Sequence, residues 1–176
     1  MIKKPMKAPS KSITDEELYM LQYPILGSHK LDGFRCVTNN AAFTSSMKLI
    51  QNRHVQSILS QPEYSGHDGE IIVGEPNDLN AFANTTGAVR RFDGEPNFKY
   101  YVFDKWDIKS PYSERLKQLK SHGVMEVIKQ EILYSPEDVI QYTNWCTEQG
   151  YEGAMIRSMD GVYKEGRCTL RELNIF

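Results

Sequence analysis

His29-Lys30-Leu31-Asp32-Gly33-Phe34-Arg35-Cys36-Val37 is the stretch on which the reading of this chain turns. Apolar and polar residues alternate loosely from residue 25 to 43. The pattern reads as a strand, a turn or bulge at Gly33, and a second strand. Residues two apart in a strand share a face. Lys30 and Asp32 are therefore expected to meet in one pocket, with the turn at Gly33 bringing Arg35 near. A lysine is a nucleophile only when its amine has lost its proton. Burial and nearby cations favour that loss, and a neighbouring carboxylate can take the proton or hold a metal. The plainer alternative is a solvated strand end with a Lys–Asp pair.

Working outward, the first dozen residues are polar and read as an irregular arm. Thr14 and Glu17 have capping-box spacing, with Asp15 and Glu16 suited to a helix start; a short helix to about Leu21 is expected, ended by Pro24. Beyond the central stretch, Asn39-Asn40 marks a turn and Asn52 caps a short helix to Leu59. Residues 69–74 read as a buried strand, 79–89 as helix or loop, 100–106 as an aromatic-rich strand, and 113–121 as a helix stopped by Gly123. The clearest helix covers 136–149: Ser135 caps it, Pro136 opens it, Glu137 and Asp138 face its dipole, and Gly150 ends it. Residues 153–157 follow as a strand. Strands and helices mix without βα alternation, and no glycine-rich loop opens a helix, which excludes Rossmann and P-loop architectures. The expectation is one α+β domain over residues 1–176.

Composition narrows the function classes. The 176 residues include 21 basic and 23 acidic ones, a net charge of -2, which excludes a generally basic nucleic-acid coat but not a local basic groove. At 40% apolar and 11% aromatic, the chain can build a core and is not of disordered type. No apolar run approaches the ~20 residues of a membrane span. The basic start Met1-Ile2-Lys3-Lys4-Pro5 has no apolar segment behind it and does not read as a secretory signal. Cys36, Cys146 and Cys168 are odd in number with no CxxC, against a disulfide framework or zinc ribbon and in favour of a reducing, cytoplasmic compartment.

Four more segments carry candidate chemistry. Asp68-Gly69-Glu70 sets two carboxylates on one face at the entrance to an apolar strand, suited to a divalent metal or a ribose hydroxyl; two exposed acids in a turn is the plainer alternative. Phe103, in Tyr101-Val102-Phe103-Asp104, can stack on a base or be core. Glu152 and Arg157 bracket the strand Glu152-Gly153-Ala154-Met155-Ile156-Arg157. Lys164, Arg167 and Arg171 form a phosphate-facing surface or an exposed basic turn.

K-x-D-G-x-R, D-G-E, F-D, E-G-x-x-x-R and Y-K-x-G-R-x-T-L follow one another in that order. In this set the sequence resembles the adenylylation domain of ATP-dependent DNA ligases, covalent nucleotidyltransferases, from about Ile13 to Arg171. It looks most like the small viral and phage type, because Lys30 stands so near the start. The resemblance implies an ATP-grasp-like domain of antiparallel sheets flanked by helices. It implies that Lys30 attacks the α-phosphate of ATP and carries AMP, with Asp32 handling metal or proton beside it. Arg35 would contact ribose or the 5′-phosphate of a nick, Glu70 ribose or a metal, and Phe103 adenine. Arg157 would bind the cofactor, and Glu152 the catalytic Mg2+ or other divalent metal. The implied partners are ATP and nicked double-stranded DNA. The implied setting is a monomer, away from membranes, in repair, replication or recombination, in the host cytoplasm for a viral protein.

Two departures qualify this. Ser45 stands where the family has an arginine, so a phosphate contact is lost unless Lys48 or Arg53 compensates. After Glu172 the chain runs Leu173-Asn174-Ile175-Phe176, and no lysine follows Lys164. The K-x-K strand that clamps the triphosphate and the OB-fold domain are thus expected to be missing, and nick sealing to be weak. The alternatives are an RNA ligase or capping-type nucleotidyltransferase, and a non-catalytic nucleotide- or DNA-binding remnant.

Overall fold

A computed structural model describes residues 2–169 and 172–176. The arm holds a short strand, β1 (Met6–Lys7), and the first helix is α1 (Asp15–Leu18). Thr14 forms the expected capping box: its hydroxyl accepts the Glu17 N–H at 3.2 Å, and the Glu17 carboxylate accepts the Thr14 N–H at 2.9 Å. The helix stops before Leu21. Tyr23 donates its hydroxyl to the Leu18 carbonyl (3.1 Å), satisfying one of the acceptors that a helix end leaves open.

Next come β2 (Ile25–His29), β3 (Phe34–Thr38), β4 (Ala42–Phe43), α2 (Arg53–Leu59), a 3-10 turn at Pro62–Tyr64, and β5 (His67–Val73). They are followed by α3 (Ala81–Val89), β6 (Phe98–Lys105), α4 (Tyr112–Leu116), β7 (Met125–Val127) and β8 (Glu131–Leu133). Last are α5 (Pro136–Glu148), β9 (Ala154–Ser158), β10 (Gly166–Arg167) and β11 (Leu173–Ile175). The sheets run β4-β3-β5-β6-β7, β11-β9-β2-β8 and β1-β10. The two larger sheets are antiparallel except at β6–β7, which is parallel; α4 lies in that crossover. β1–β10 is also parallel.

The strand–turn–strand expectation around Gly33 holds, but the first strand ends at His29, before Lys30 and Asp32. β2 pairs with β8 and β9, whereas β3 pairs with β4 and β5, so the chain changes sheet between them. Residues 30–33 belong to no strand. Ile25 to Ser28 are all buried, in keeping with the central place of β2 in its sheet. Gly33 serves close approach: a Cβ there would lie 2.7 Å from the Ile71 carbonyl oxygen.

α3 resolves the helix-or-loop question at 79–89. Ala81, Thr85 and Val89 are buried along one face, and Thr85 accepts the Val73 N–H at 2.9 Å; packing overrides weak propensity. α4 is shorter than expected and ends at Leu116. The five-stranded sheet covers a core of Cys36, Val55, Leu59, Ile71, Val89, Tyr100 and Val102. The four-stranded sheet packs Ile25, Leu133 and Ile156 against Leu18 and Val139. Met6, Cys168 and Leu173 tie the arm to the C-terminal segment. No helix among the described residues is long and apolar enough to cross a membrane.

Candidate active site

Lys30 sits where the chain leaves β2. Its N–H donates to the Gly153 carbonyl at 2.9 Å, and its ammonium forms an ion pair with Glu152. Pairing of β2 with β9, with His29 opposite Ala154, holds these two side chains together across 122 residues of sequence. Gly153 has φ +154°, and a Cβ there would lie 2.6 Å from the Phe176 carbonyl oxygen, so the turn carrying Glu152 needs glycine. The Glu152 side chain is 57% exposed and remains open to a ligand.

The five-stranded sheet supplies one wall of an adjoining cavity. Arg35 grips Asp68 with two hydrogen bonds, Nε–Oδ1 at 2.7 Å and Nη2–Oδ2 at 2.8 Å, and Nη2 also donates to the Met6 carbonyl at 2.8 Å. Asp68 is fully buried and accepts the Tyr163 hydroxyl at 2.6 Å. The exposed-acid alternative for this pair is therefore excluded. The Arg35 guanidinium lies 4.6 Å from the centroid of Phe103. Glu70, across the strands from Arg35, accepts the Gly33 N–H at 2.9 Å. Burial pushes its carboxyl up to about 7, against the lowering pull of Arg35, the Gly33 N–H and Lys30. Ser28, Met155 and Arg157 of the four-stranded sheet close the other side.

Behind the cavity lies a buried charge cluster. Asp104 accepts from Arg115 (Nε–Oδ1 2.7 Å, Nη2–Oδ2 3.1 Å) and from Arg157. Burial opposes the charge on Asp104, yet Arg157 and Arg115 hold its carboxyl below the usual range. Arg157 stacks 3.8 Å from the Tyr112 centroid, and the Tyr112 hydroxyl donates to the Phe103 carbonyl at 3.0 Å.

No protein-family model matches the chain, and no characterised protein matches it by sequence. Solved structures do match. A Chlorella virus DNA ligase-adenylate superposes with a TM-score of 0.82, at 28% identity over 98% of this chain and 68% of that one. A second crystal structure of Chlorella virus DNA ligase-adenylate gives 0.83 at 29% identity, over 100% and 67%. The chain has the fold of an ATP-dependent DNA ligase adenylylation domain. The ATP-dependent DNA ligase of bacteriophage T7, in complex with ATP, shares that fold at a TM-score of 0.68 and 15% identity, over 99% and 68%.

Within this ligase fold, Arg35, Glu70, Phe103 and Arg157 line one cavity, and Lys30 pairs with Glu152 beside it. Asp32 forms no hydrogen bond with Lys30 among the described residues, where Lys30 pairs with Glu152 instead. Asp32 is exposed and forms no ion pair among the described residues, because residues 30–33 lack the strand alternation expected of them. Arg115 belongs to no sequence motif, and Asp104 and Tyr163 enter the motifs F-D and Y-K-x-G-R-x-T-L without a role of their own. Asp104 carried a signal: it alternates with Tyr100 and Val102 on the buried face of β6, and a charge there demands a partner.

Ser45 shares a groove with Lys48 and Arg90. Arg53 is engaged elsewhere, 3.6 Å from Asp93 and stacked 4.2 Å from the Phe92 centroid. Lys164 pairs with Glu172 at 3.5 Å, Arg167 is exposed, and Arg171 lies outside the described residues. A terminal strand is present as β11, but it carries Leu173, Asn174 and Ile175 and no lysine. Among the described residues no three metal-ligating side chains converge. Glu152, with its side chain open beside Lys30, is a single accessible carboxylate, a donor set that fits Mg2+, which commonly draws its other ligands from nucleotide phosphates and water.

Glu70 has a consequence for stability. Its folded-state proton is held more tightly than in the unfolded chain, so its contribution is full at low pH. That contribution is lost as pH rises from the ordinary carboxyl range through about 7. Glu70→Gln should remove this dependence. The stability difference between native protein and variant, from urea midpoints, should fall by about 2 kcal/mol between pH 5 and pH 8. A difference that is flat with pH would show that Glu70 ionises normally.

Proposed function

We propose that this chain is the nucleotidyltransferase unit of an ATP-dependent DNA ligase. The observation that carries the reading is the lysine–glutamate pair, Lys30 with Glu152, set beside a cavity bearing an aromatic face, a partly protonated carboxyl and two guanidinium groups. Lys30 Nζ, freed of its proton and of Glu152, attacks the α-phosphorus of ATP. The bond to the bridging oxygen breaks, pyrophosphate leaves, and a Lys30–AMP phosphoramidate forms. Phe103 receives the adenine face, Glu70 shares a hydrogen bond with a ribose hydroxyl, and Arg35 and Arg157 face phosphate. Asp32, exposed on the loop after Lys30, would take the lysine proton or help to hold the metal. Glu152, with Glu70, would hold Mg2+, which when bound would supply the positive charge that a leaving pyrophosphate needs.

AMP then passes to the 5′-phosphate of nicked double-stranded DNA, and the 3′-hydroxyl displaces it to make the phosphodiester. The chain works as a monomer in the cytoplasm, that of the host for a viral protein, in repair, replication or recombination. A binding-only reading draws on Ser45 and on a β11 without lysine. Incubation with ATP and Mg2+ followed by intact mass separates the two. A gain of one AMP is expected, with none from GTP. Tight AMP binding without covalent mass would instead establish the binding-only reading.

A further inference from the structure

We propose that Gln130 reads the edge of the nucleotide base and sets the preference for adenine. The inference rests on the reading of the cavity as an ATP site. Ser28 pairs with Met155 on one side, and Gly27 pairs with Glu131 on the other, so Gln130, one residue before β8, follows Ser28 in register. Met155, Ser28 and Gln130 thus form a row across the four-stranded sheet. All three line the cavity opposite Phe103 and Glu70. A flat base between Phe103 and Met155 would turn an edge toward Ser28 and Gln130.

The Gln130 Nε2 is buried and has no hydrogen-bond partner among the described residues. A buried amide nitrogen in that state destabilises the protein unless something satisfies it, and native structures hold few such groups. A carboxamide sets donor and acceptor side by side in one plane. Adenine offers the complement, its N6 amino donor beside an acceptor at N7 or N1; the N6/N7 pairing is the one glutamine makes with this base in DNA. Guanine offers two acceptors at O6 and N7. Pairing through its O6 and N1–H requires the carboxamide turned over, with its oxygen in the place of the buried nitrogen.

The test uses the full chain, ATP, GTP and purine riboside triphosphate, which lacks the N6 amine. Binding is read by calorimetry and adduct formation by intact mass. The native protein should favour ATP over the amine-free analogue by roughly tenfold. Gln130→Leu should erase that ratio while melting at or above the native temperature, because it removes an unsatisfied donor. Gln130→Glu, an acceptor for guanine N1–H and N2–H, should shift the ATP-to-GTP ratio toward GTP by roughly tenfold or more. An unchanged ratio in both variants overturns the proposal. So does a lowered melting temperature with the ratio intact, which would make Gln130 structural. If the native protein neither binds nor attaches AMP, the ATP-site reading itself fails, and this inference falls with it.

Discussion

Lys30→Ala is expected to abolish covalent AMP attachment, leaving an intact mass that ATP and Mg2+ do not change. A phosphoramidate requires an amine at the α-phosphorus, and the backbone fixes which amine that is. Lys30 N–H is tied to Gly153 (2.9 Å), so the side chain starts from a rigid point between the two sheets. Lys3, Lys4, Lys7 and Lys11 lie in the arm, and Lys48 lies in a separate groove with Ser45. Alanine at Lys48 should leave the adduct in place. Lys30→Arg is the sharper control. It keeps a cation to pair with Glu152, so folding should be native within about 0.5 kcal/mol, yet guanidinium stays protonated and offers no nucleophile. An adduct surviving in Lys30→Ala would move the chemistry to another residue. Loss of the adduct together with loss of folding in both variants would make Lys30 structural.

What the sequence made legible follows the range of the interactions. Thr14–Glu17, Asn52–Val55 and Ser135–Asp138 are caps that close within three residues, and each forms as its spacing implies. The strand that presents Phe103 is also local, an alternating run with one face in the core. The pairing of Lys30 with Glu152 was not legible, although both residues were. It depends on β2 choosing β9 as its neighbour, and a single chain carries no local mark of that choice. Gly33 marks the turn between two strands, as its place between apolar runs implies, but the change of sheet there and the close approach to Ile71, far along the chain, have no local mark. α3 was ambiguous because its threonines and Gly87 argue against a helix, and only its buried face decides.

Asp104→Ala is expected to cost about 3–5 kcal/mol of folding stability, a large part of the ~5–15 kcal/mol that holds a typical domain. Asp104 and Arg115 are fully buried, and Arg157 is 7% exposed. Removing the one carboxylate strands two guanidinium groups away from water. Arg115 would keep its bond to the Gly161 carbonyl (3.0 Å) and another to that of Ser110, but neither neutralises its charge. The damage should also reach the cavity, since Arg157 lines it and Tyr112, beneath Arg157, bonds to Phe103. Asp104→Asn keeps one acceptor and should fall between the two. The triple change Asp104→Leu, Arg115→Met, Arg157→Met tests the cause. A buried ion cluster replaced whole by apolar side chains leaves no unpaired charge, so much of the loss should be recovered, although the Ser110 and Gly161 carbonyls then lack donors. Urea denaturation of the three proteins gives the comparison. If Asp104→Ala costs less than about 1 kcal/mol, the guanidinium groups must reach water in the folded protein, and the cluster is not the closed core of charge described above.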